Sequence, residues 1–330
     1  MRQPRSFGFL RGRTRPATAA LVRFVAEHKD RTDGGKRWGV ESICAVLTEH
    51  GCPIAPSTYY DAASRLPSQR AQRDEDLKVE IARVHAANYS VYGPRKVWLA
   101  LNREGVEVAR CTVERLMRDL GLTGALRGKR VVTTRPGPNT ARPADLVQRR
   151  FLPLAPNRVW VADFTYVPTW SGMVYVAFVI DAYARHILGW RASMSMRTSL
   201  VLDTIEQAMW TRQREGITDL TGVIHHHDNG SQYMSIAFTE RLAEAGVDVS
   251  VGAVGDALDN ALAESVIGLF KTELIRRRGP WRTVEHVEAA TLHWVDWFNR
   301  HRLLETNGDL PPLELEQAYY RQHPDLDEAG

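Results

Sequence analysis

Cysteine is scarce: 330 residues hold only Cys44, Cys52 and Cys111, and no two of them share a C-x-x-C spacing. That argues against a disulfide framework and against a structural zinc site. No apolar run is long enough to cross a bilayer, and the basic N-terminus MRQPRSFGFLRGRTRP lacks the apolar core of a secretory signal. The expected location is therefore the cytoplasm, with no membrane contact. Acid is scarce in one stretch, where Arg127, Lys129, Arg130, Arg135, Arg142, Arg149 and Arg150 are set against a single acid, Asp145. The remaining composition, 44% hydrophobic and 25% charged, is that of a globular chain of two or three domains. A net charge of +4 leans mildly toward a polyanion partner.

The N-terminal third carries an internal repeat at an offset of 54 residues, with Trp38 aligned on Tyr92. The register pairs Gly39 with Gly93, Leu47 with Leu101, Gly51 with Gly105 and Thr58 with Thr112. Each copy reads as helix, tight glycine-bearing turn, helix. Val40, Ile43, Cys44 and Leu47 form an amphipathic stripe in the first copy, and Val113, Leu116, Met117 and Leu120 form one in the second. Gly121 supplies a C-terminal stop. Burying the second stripe leaves Arg110, Arg115 and Arg118 toward solvent, as on the groove-entering helix of a helix-turn-helix. DNA contact is the favoured reading for this copy. For the first, whose second helix is nearly uncharged, a packed helical hairpin and a DNA-binding unit both stand. The expected domains are an N-terminal helical unit over 1–70, a helix-turn-helix DNA-binding unit over 71–126, a basic linker over 127–152, and a catalytic core with a C-terminal helix over 153–330.

After the linker the pattern turns to strands. Arg158–Pro168 and Met173–Ala182 read as a hairpin, and His186–Ala192 as a third strand. A helix over 199–214, short strands over 222–227 and 247–251, and helices over 236–245, 260–277 and 284–300 follow. Three meandering strands and then α/β alternation predict an α/β fold: a mixed sheet flanked by helices, preceded by a helical helix-turn-helix region.

Three carboxylates stand out within these segments. Asp163 sits in the apolar run VADFTYV, where an unpartnered charge is costly. Asp228 ends a short strand before an Asn-Gly turn, and strand ends are where ligands gather in α/β sheets. Glu264 follows after 35 intervening residues, on a helix that Asp259 is placed to cap. At 100° per residue, Asn260, Glu264, Gly268 and Lys271 fall on one stripe. Taken singly, each carboxylate also fits a cap or a surface charge. Together they suit two Mg²⁺ ions beside a phosphodiester, because Mg²⁺ takes hard oxygen ligands and paired ions serve both attacking and leaving oxygens. The run His225-His226-His227 does not suit one metal, since consecutive strand residues alternate faces.

At these residues the chain resembles the OrfB-type transposases of bacterial insertion sequences, within the DDE superfamily of retroviral-like integrases. NRVWVADFTYVPTWSGMVYVAFVIDAYARHILGW, HHHDNGSQY and DNALAESVIGLFKTEL resemble the three catalytic blocks. YGPRKVWLALNREG and TVERLMRDLGL resemble the upstream helix-turn-helix, and WFNRHR the closing helix. The resemblance implies a ribonuclease-H-like core in which Asp163, Asp228 and Glu264 are catalytic and bind two Mg²⁺ ions, with Mn²⁺ able to substitute. It also implies that Asn260 and Lys271 position DNA. Implied partners are the element's terminal repeats and target DNA, and further copies of the chain in a synaptic complex. The implied reaction is strand cleavage and 3′-hydroxyl transfer, through a circular intermediate. Two departures stand out. The family's upstream-frame partner, which carries a zipper and is commonly joined by frameshift, has no counterpart heptad run here, and the block around Glu305–Asp309 is altered. Two other readings compete. One is a catalytically silent DNA-binding remnant that occupies element ends; the intact carboxylates oppose it. The other is a retroviral-type integrase, opposed by the lack of a His/His/Cys/Cys zinc module.

Overall fold

Helices precede the sheet in the computed structural model, which describes residues 16–126, 153–227, 236–251 and 261–323. Contacts divide the chain into two compact units, 1–76 and 77–330.

In the first unit, α1 (Thr18–His28), a short hairpin of β1 (Thr32–Asp33) and β2 (Lys36–Arg37), α2 (Val40–Glu49) and α3 (Pro56–Ser64) enclose a small core. The predicted stripe of α2 is buried in full: Val40, Ile43, Cys44 and Leu47 pack with Leu21, Phe24, Val25 and Tyr59.

The second unit begins within α4 (Gln69–Ala87), a helix to which the sequence pattern assigns no element. Its first two turns are polar apart from Ala71, and only Leu77, Ile81, Val84 and His85 farther along are buried. α5 (Pro94–Arg103) and α6 (Arg110–Asp119) are the second repeat copy. Val113, Leu116 and Met117 are buried as expected, but Leu120 is exposed. The helix stops at Asp119, so Leu120 is its C-cap and leaves the stripe, and Gly121 (φ +67°) then makes the turn that only glycine adopts freely.

The sheet is mixed, in the order β5-β4-β3-β6-β7. β3 (Val159–Thr169), β4 (Gly172–Asp181) and β5 (His186–Ser193) meander antiparallel; β6 (Ile224–His227) and β7 (Asp248–Val251) run parallel to β3. Alternation along the strands feeds two cores. Val159, Val161, Val167, Val176 and Phe178 face α4–α6 and the C-terminal helices. Trp160, Ala162, Val179 and Leu188 face α7 (Thr198–Arg214) and α8 (Ile236–Glu244). α7 lies so close to β5 that a Cβ on Gly189 would stand 2.2 Å from the Thr204 carbonyl oxygen, so only glycine fits there.

The β5 edge is sealed by side chains. Asn299 accepts from the Ile187 N–H (3.0 Å) and donates to the Ile187 carbonyl (2.9 Å). Gln207 accepts from the Trp190 N–H (2.8 Å), and the Thr211 hydroxyl donates to the Leu188 carbonyl (2.9 Å). Exposed strand edges recruit other strands, and here the backbone groups of Ile187, Leu188 and Trp190 are already occupied.

The helix predicted over 260–277 is interrupted. α9 (Ala261–Phe270) passes into a π-helical turn, Lys271–Ile275, and then into α10 (Arg276–Arg278). Within the wider turn Glu273 and Leu274 are both buried. α11 (Val284–Arg300) buries Trp294, Trp297 and Phe298, and α12 (Pro312–Gln322) closes the described chain. No described helix is long and apolar enough to cross a membrane.

Candidate active site

Asp163 lies on the central strand, β3, and is half-buried. Its register partner is Phe178 of β4. Registered partners share a sheet face, and the Phe178 ring meets Phe270 of α9 edge-on at 5.1 Å. Asp163 therefore projects on the face that α9 covers. Its Oδ1 accepts from the Phe164 N–H at 2.8 Å.

α9 lies on this face because Leu262, Ala263, Val266, Ile267 and Phe270 are buried along it. Glu264, in its first turn, is exposed on a different stripe. Lys271 opens the π-helical turn and reaches across to β3, with Nζ 4.9 Å from the Tyr166 ring centroid. Tyr166 is three residues beyond Asp163, roughly 10 Å along the strand. The segment that carries Glu264 thus also supplies the ammonium that reaches the strand bearing Asp163. Asp228, Asp259 and Asn260 lie outside the described residues. Among the described residues, no three His, Cys, Asp or Glu side chains come together as a metal-holding group.

β6 ends at His227, in register with Ala162, so this strand terminates beside Asp163. The three histidines before that end are buried and split between faces as alternation requires. His225 and His227 approach the Phe238 ring at 5.5 and 6.1 Å, whereas His226 Nδ1 is 3.0 Å from the Ser250 hydroxyl. Burial first, and then the neighbouring imidazoles His227 and His226, hold His225 well below the ordinary histidine pKa.

The predicted DNA-contact arginines line α6 differently. Arg110 Nε pairs with Glu114 at 2.9 Å, Arg115 stands 3.7 Å from Asp119 and is partly covered, and Arg118 is exposed.

Two buried ionic clusters have no counterpart among the residues singled out from sequence. Arg302 forks onto Glu273 of the π-helical turn, with Nε 3.1 and 2.9 Å from the two carboxylate oxygens, and both residues are buried. The motif WFNRHR contained this signal, since it ends in Arg302. The second cluster is Arg212 of α7 with Asp181 (3.0 Å), Glu215 (2.7 Å) and Glu316 of α12, which in turn holds His186 at 2.7 Å. Burial pushes the Asp181 carboxyl up. Burial also opposes ionisation of Glu316, but Arg212 and His186 outweigh it and hold that carboxyl down. Perturbed groups often mark active sites. Asp181 and Arg212 are fully enclosed, however, and no substrate reaches them, so this cluster ties α7 and α12 to the sheet.

Comparison with known proteins agrees with this architecture. Residues 153–257 and 245–312 match two models of the integrase core domain, and residues 71–130 match an HTH-like domain. A Mycobacterium tuberculosis protein carrying the name of transposase for insertion sequence element IS986/IS6110 is 68% identical over 270 residues, covering 82% of this chain and 97% of that one. The transposase for insertion sequence element IS629 of Shigella sonnei is 51% identical, with 86% and 94% covered. A chain of a simian T-cell lymphotropic virus intasome aligns at a TM-score of 0.41 and 15% identity over 72% of this chain and 74% of its own. With a ribonuclease-H-like mixed sheet and an HTH-like helical pair ahead of it, the chain belongs to the insertion-sequence transposases built on an integrase core.

Proposed function

We propose that the chain performs metal-dependent DNA strand cleavage and 3′-hydroxyl strand transfer, with Asp163, Asp228 and Glu264 as catalytic metal ligands. One observation carries the reading: Asp163 projects from the central strand toward the helix bearing Glu264, and β6 ends beside it at His227. Asp228 follows His227 directly in the sequence, which supports assigning it to the same proposed metal site as Asp163. The donors are all carboxylate oxygens, which suit two Mg²⁺ ions, with Mn²⁺ able to substitute on the same grounds. Bound ions of this kind activate an oxygen nucleophile and stabilise a leaving oxygen. The protein's own part is positioning: Lys271, braced on Tyr166, and Asn260 orient the DNA beside the carboxylates, while Arg110, Arg115 and Arg118 of the 71–126 unit hold the element's terminal repeat. The 127–152 stretch is then the basic linker between them. The chain acts in the cytoplasm, as copies paired on two DNA ends, with an upstream-frame partner supplying further end recognition.

The test is strand joining of a labelled terminal-repeat duplex in Mg²⁺ or Mn²⁺. Asp163→Asn, Asp228→Asn and Glu264→Gln are each expected to remove detectable joining while duplex binding remains. Wild-type joining by any one of them would sink the three-carboxylate assignment. Binding without nicking by the wild-type protein in either metal would show a DNA-occupying protein instead.

A further inference from the structure

Within the second unit, a cleft of about 440 Å³ opens between the helical pair and the catalytic core. Its walls come from the start of α5 (Arg95, Lys96), from α6 (Arg110, Glu114), from the π-helical turn (Thr272, Glu273) and from the chain after α11 (Arg302, Glu305). Its arginines are already matched. Arg95 forks onto Asp309 (2.8 and 2.5 Å), Arg110 pairs with Glu114, and Arg302 with Glu273. Lys96 is different. It makes no ion pair among the described residues, and its ammonium rests over the Tyr92 ring at 5.5 Å.

Lys96 is also the group that its surroundings treat worst. Burial, and then the Arg302 guanidinium, outweigh the pull of Glu273, Asp309 and Glu305 and lower its pKa to about 8. A half-buried cation without a counter-ion gains most from an incoming anion. The lining of the cleft indicates which anion. Its rim includes Arg110 of α6, the helix whose exposed Arg118 lies two turns farther along. Arg110 thus belongs both to the proposed DNA-contact helix and to the cleft wall.

We propose that this cleft is a seat for one backbone phosphate of duplex DNA, with Lys96 as its counter-charge, so that a single phosphodiester is held jointly by the helical pair and the catalytic core. A phosphodiester carries one negative charge, and Lys96 is the one cation in the wall without a matched acid. The proposal rests on the DNA-binding reading of α6 given above.

The test is binding of a fluorescent duplex to the full chain over a range of salt. Each neutralised phosphate contributes about 0.9 to the slope of log affinity against log salt. Lys96→Gln is expected to reduce the slope by about that much, and Lys96→Arg to restore it. Raising the pH from 7 to 9 should weaken wild-type binding, because the ammonium is lost through about pH 8. The Lys96→Arg protein should not show this loss, since guanidinium stays charged. A second readout avoids mutation. The chain has six lysines, so acylation followed by mass spectrometry resolves each one. Duplex is expected to protect Lys96, and inorganic phosphate at matched phosphate concentration is not. An unchanged slope in a folded Lys96→Gln protein overturns the proposal, as does protection by phosphate but not by duplex. If Arg118→Ala lowers the slope and Lys96→Gln does not, the cleft assignment fails and the α6 reading survives. If the wild-type chain binds no duplex, both fail.

Discussion

The two copies of the helical repeat share a sequence register and bury corresponding stripes, yet they are embedded differently. Leu47 of the first copy and Leu101 of the second are registered partners, and both are fully enclosed. Leu47 belongs to a small core of its own unit, closed by α1 and Tyr59. Leu101 belongs to a core continuous with the catalytic sheet, reaching Val161, Phe270 and Trp294. Polar ties reinforce this second attachment. The Tyr92 hydroxyl accepts from Leu303 N–H and donates to His301 carbonyl, Trp297 donates to Asn88, and Arg95 forks onto Asp309. A periodic stripe specifies a helix pair in either case. What the pair is attached to depends on residues outside the repeat, and only the second copy is built into the body that carries Asp163 and Glu264.

The largest expected effect comes from the attachment itself. Arg302→Ala leaves Glu273 buried without its cation, which costs roughly 3–5 kcal/mol. Calorimetry should show the unit over 77–330 melting earlier, with the second helical pair lost in the same transition. Retention of α5–α6 protection in hydrogen exchange while the sheet opens would break the comparison.

Next are the registered leucines. Leu47→Ala and Leu101→Ala should each cost about 2–5 kcal/mol, but in different units. Leu47→Ala is expected to unfold the first unit and leave the catalytic unit's transition in place. A single shared transition in both variants would show that the two units are not separate folding bodies.

The smallest effect concerns charge and leaves stability nearly untouched. Arg115→Ala and Arg118→Ala should each reduce the salt slope of DNA binding by about 0.9. Asp61 and Ser64 occupy the corresponding positions of the first copy, and replacing them by Ala should leave the slope unchanged. A slope change at Ser64 would give the first copy a DNA contact that its composition does not suggest.

Much of this was legible in the residues because it depends on period and spacing. The β3–β4 hairpin, the short strand ending at His227 and the α2 stripe follow from alternation, apolar runs and turn residues. What could not be read depends on partners far apart in sequence. The π-helical turn is invisible to a fixed 100° step, and it is accompanied by a buried Glu273 whose cation lies at Arg302. The polar helix α4 shows only a short stripe, and its reason to exist is the core it meets. Leu120 fell outside its predicted stripe because helix ends are set by capping, not by period. The block around Glu305–Asp309 forms a tie: Asp309 holds Arg95, and Asn307 donates to the Ala184 carbonyl.

The sealed β5 edge constrains how copies of this chain can meet. With Ile187 and Trp190 already bonded to Asn299 and Gln207, a second chain cannot extend the sheet there by strand pairing without first expelling those side chains. Asn299 stands three residues before Arg302, so loosening it would also disturb the helix end that anchors Glu273. Strand addition at Ile187 and Trp190 would therefore have to displace these side chains first. At these positions the strand edge meets other molecules through side chains, not through its backbone.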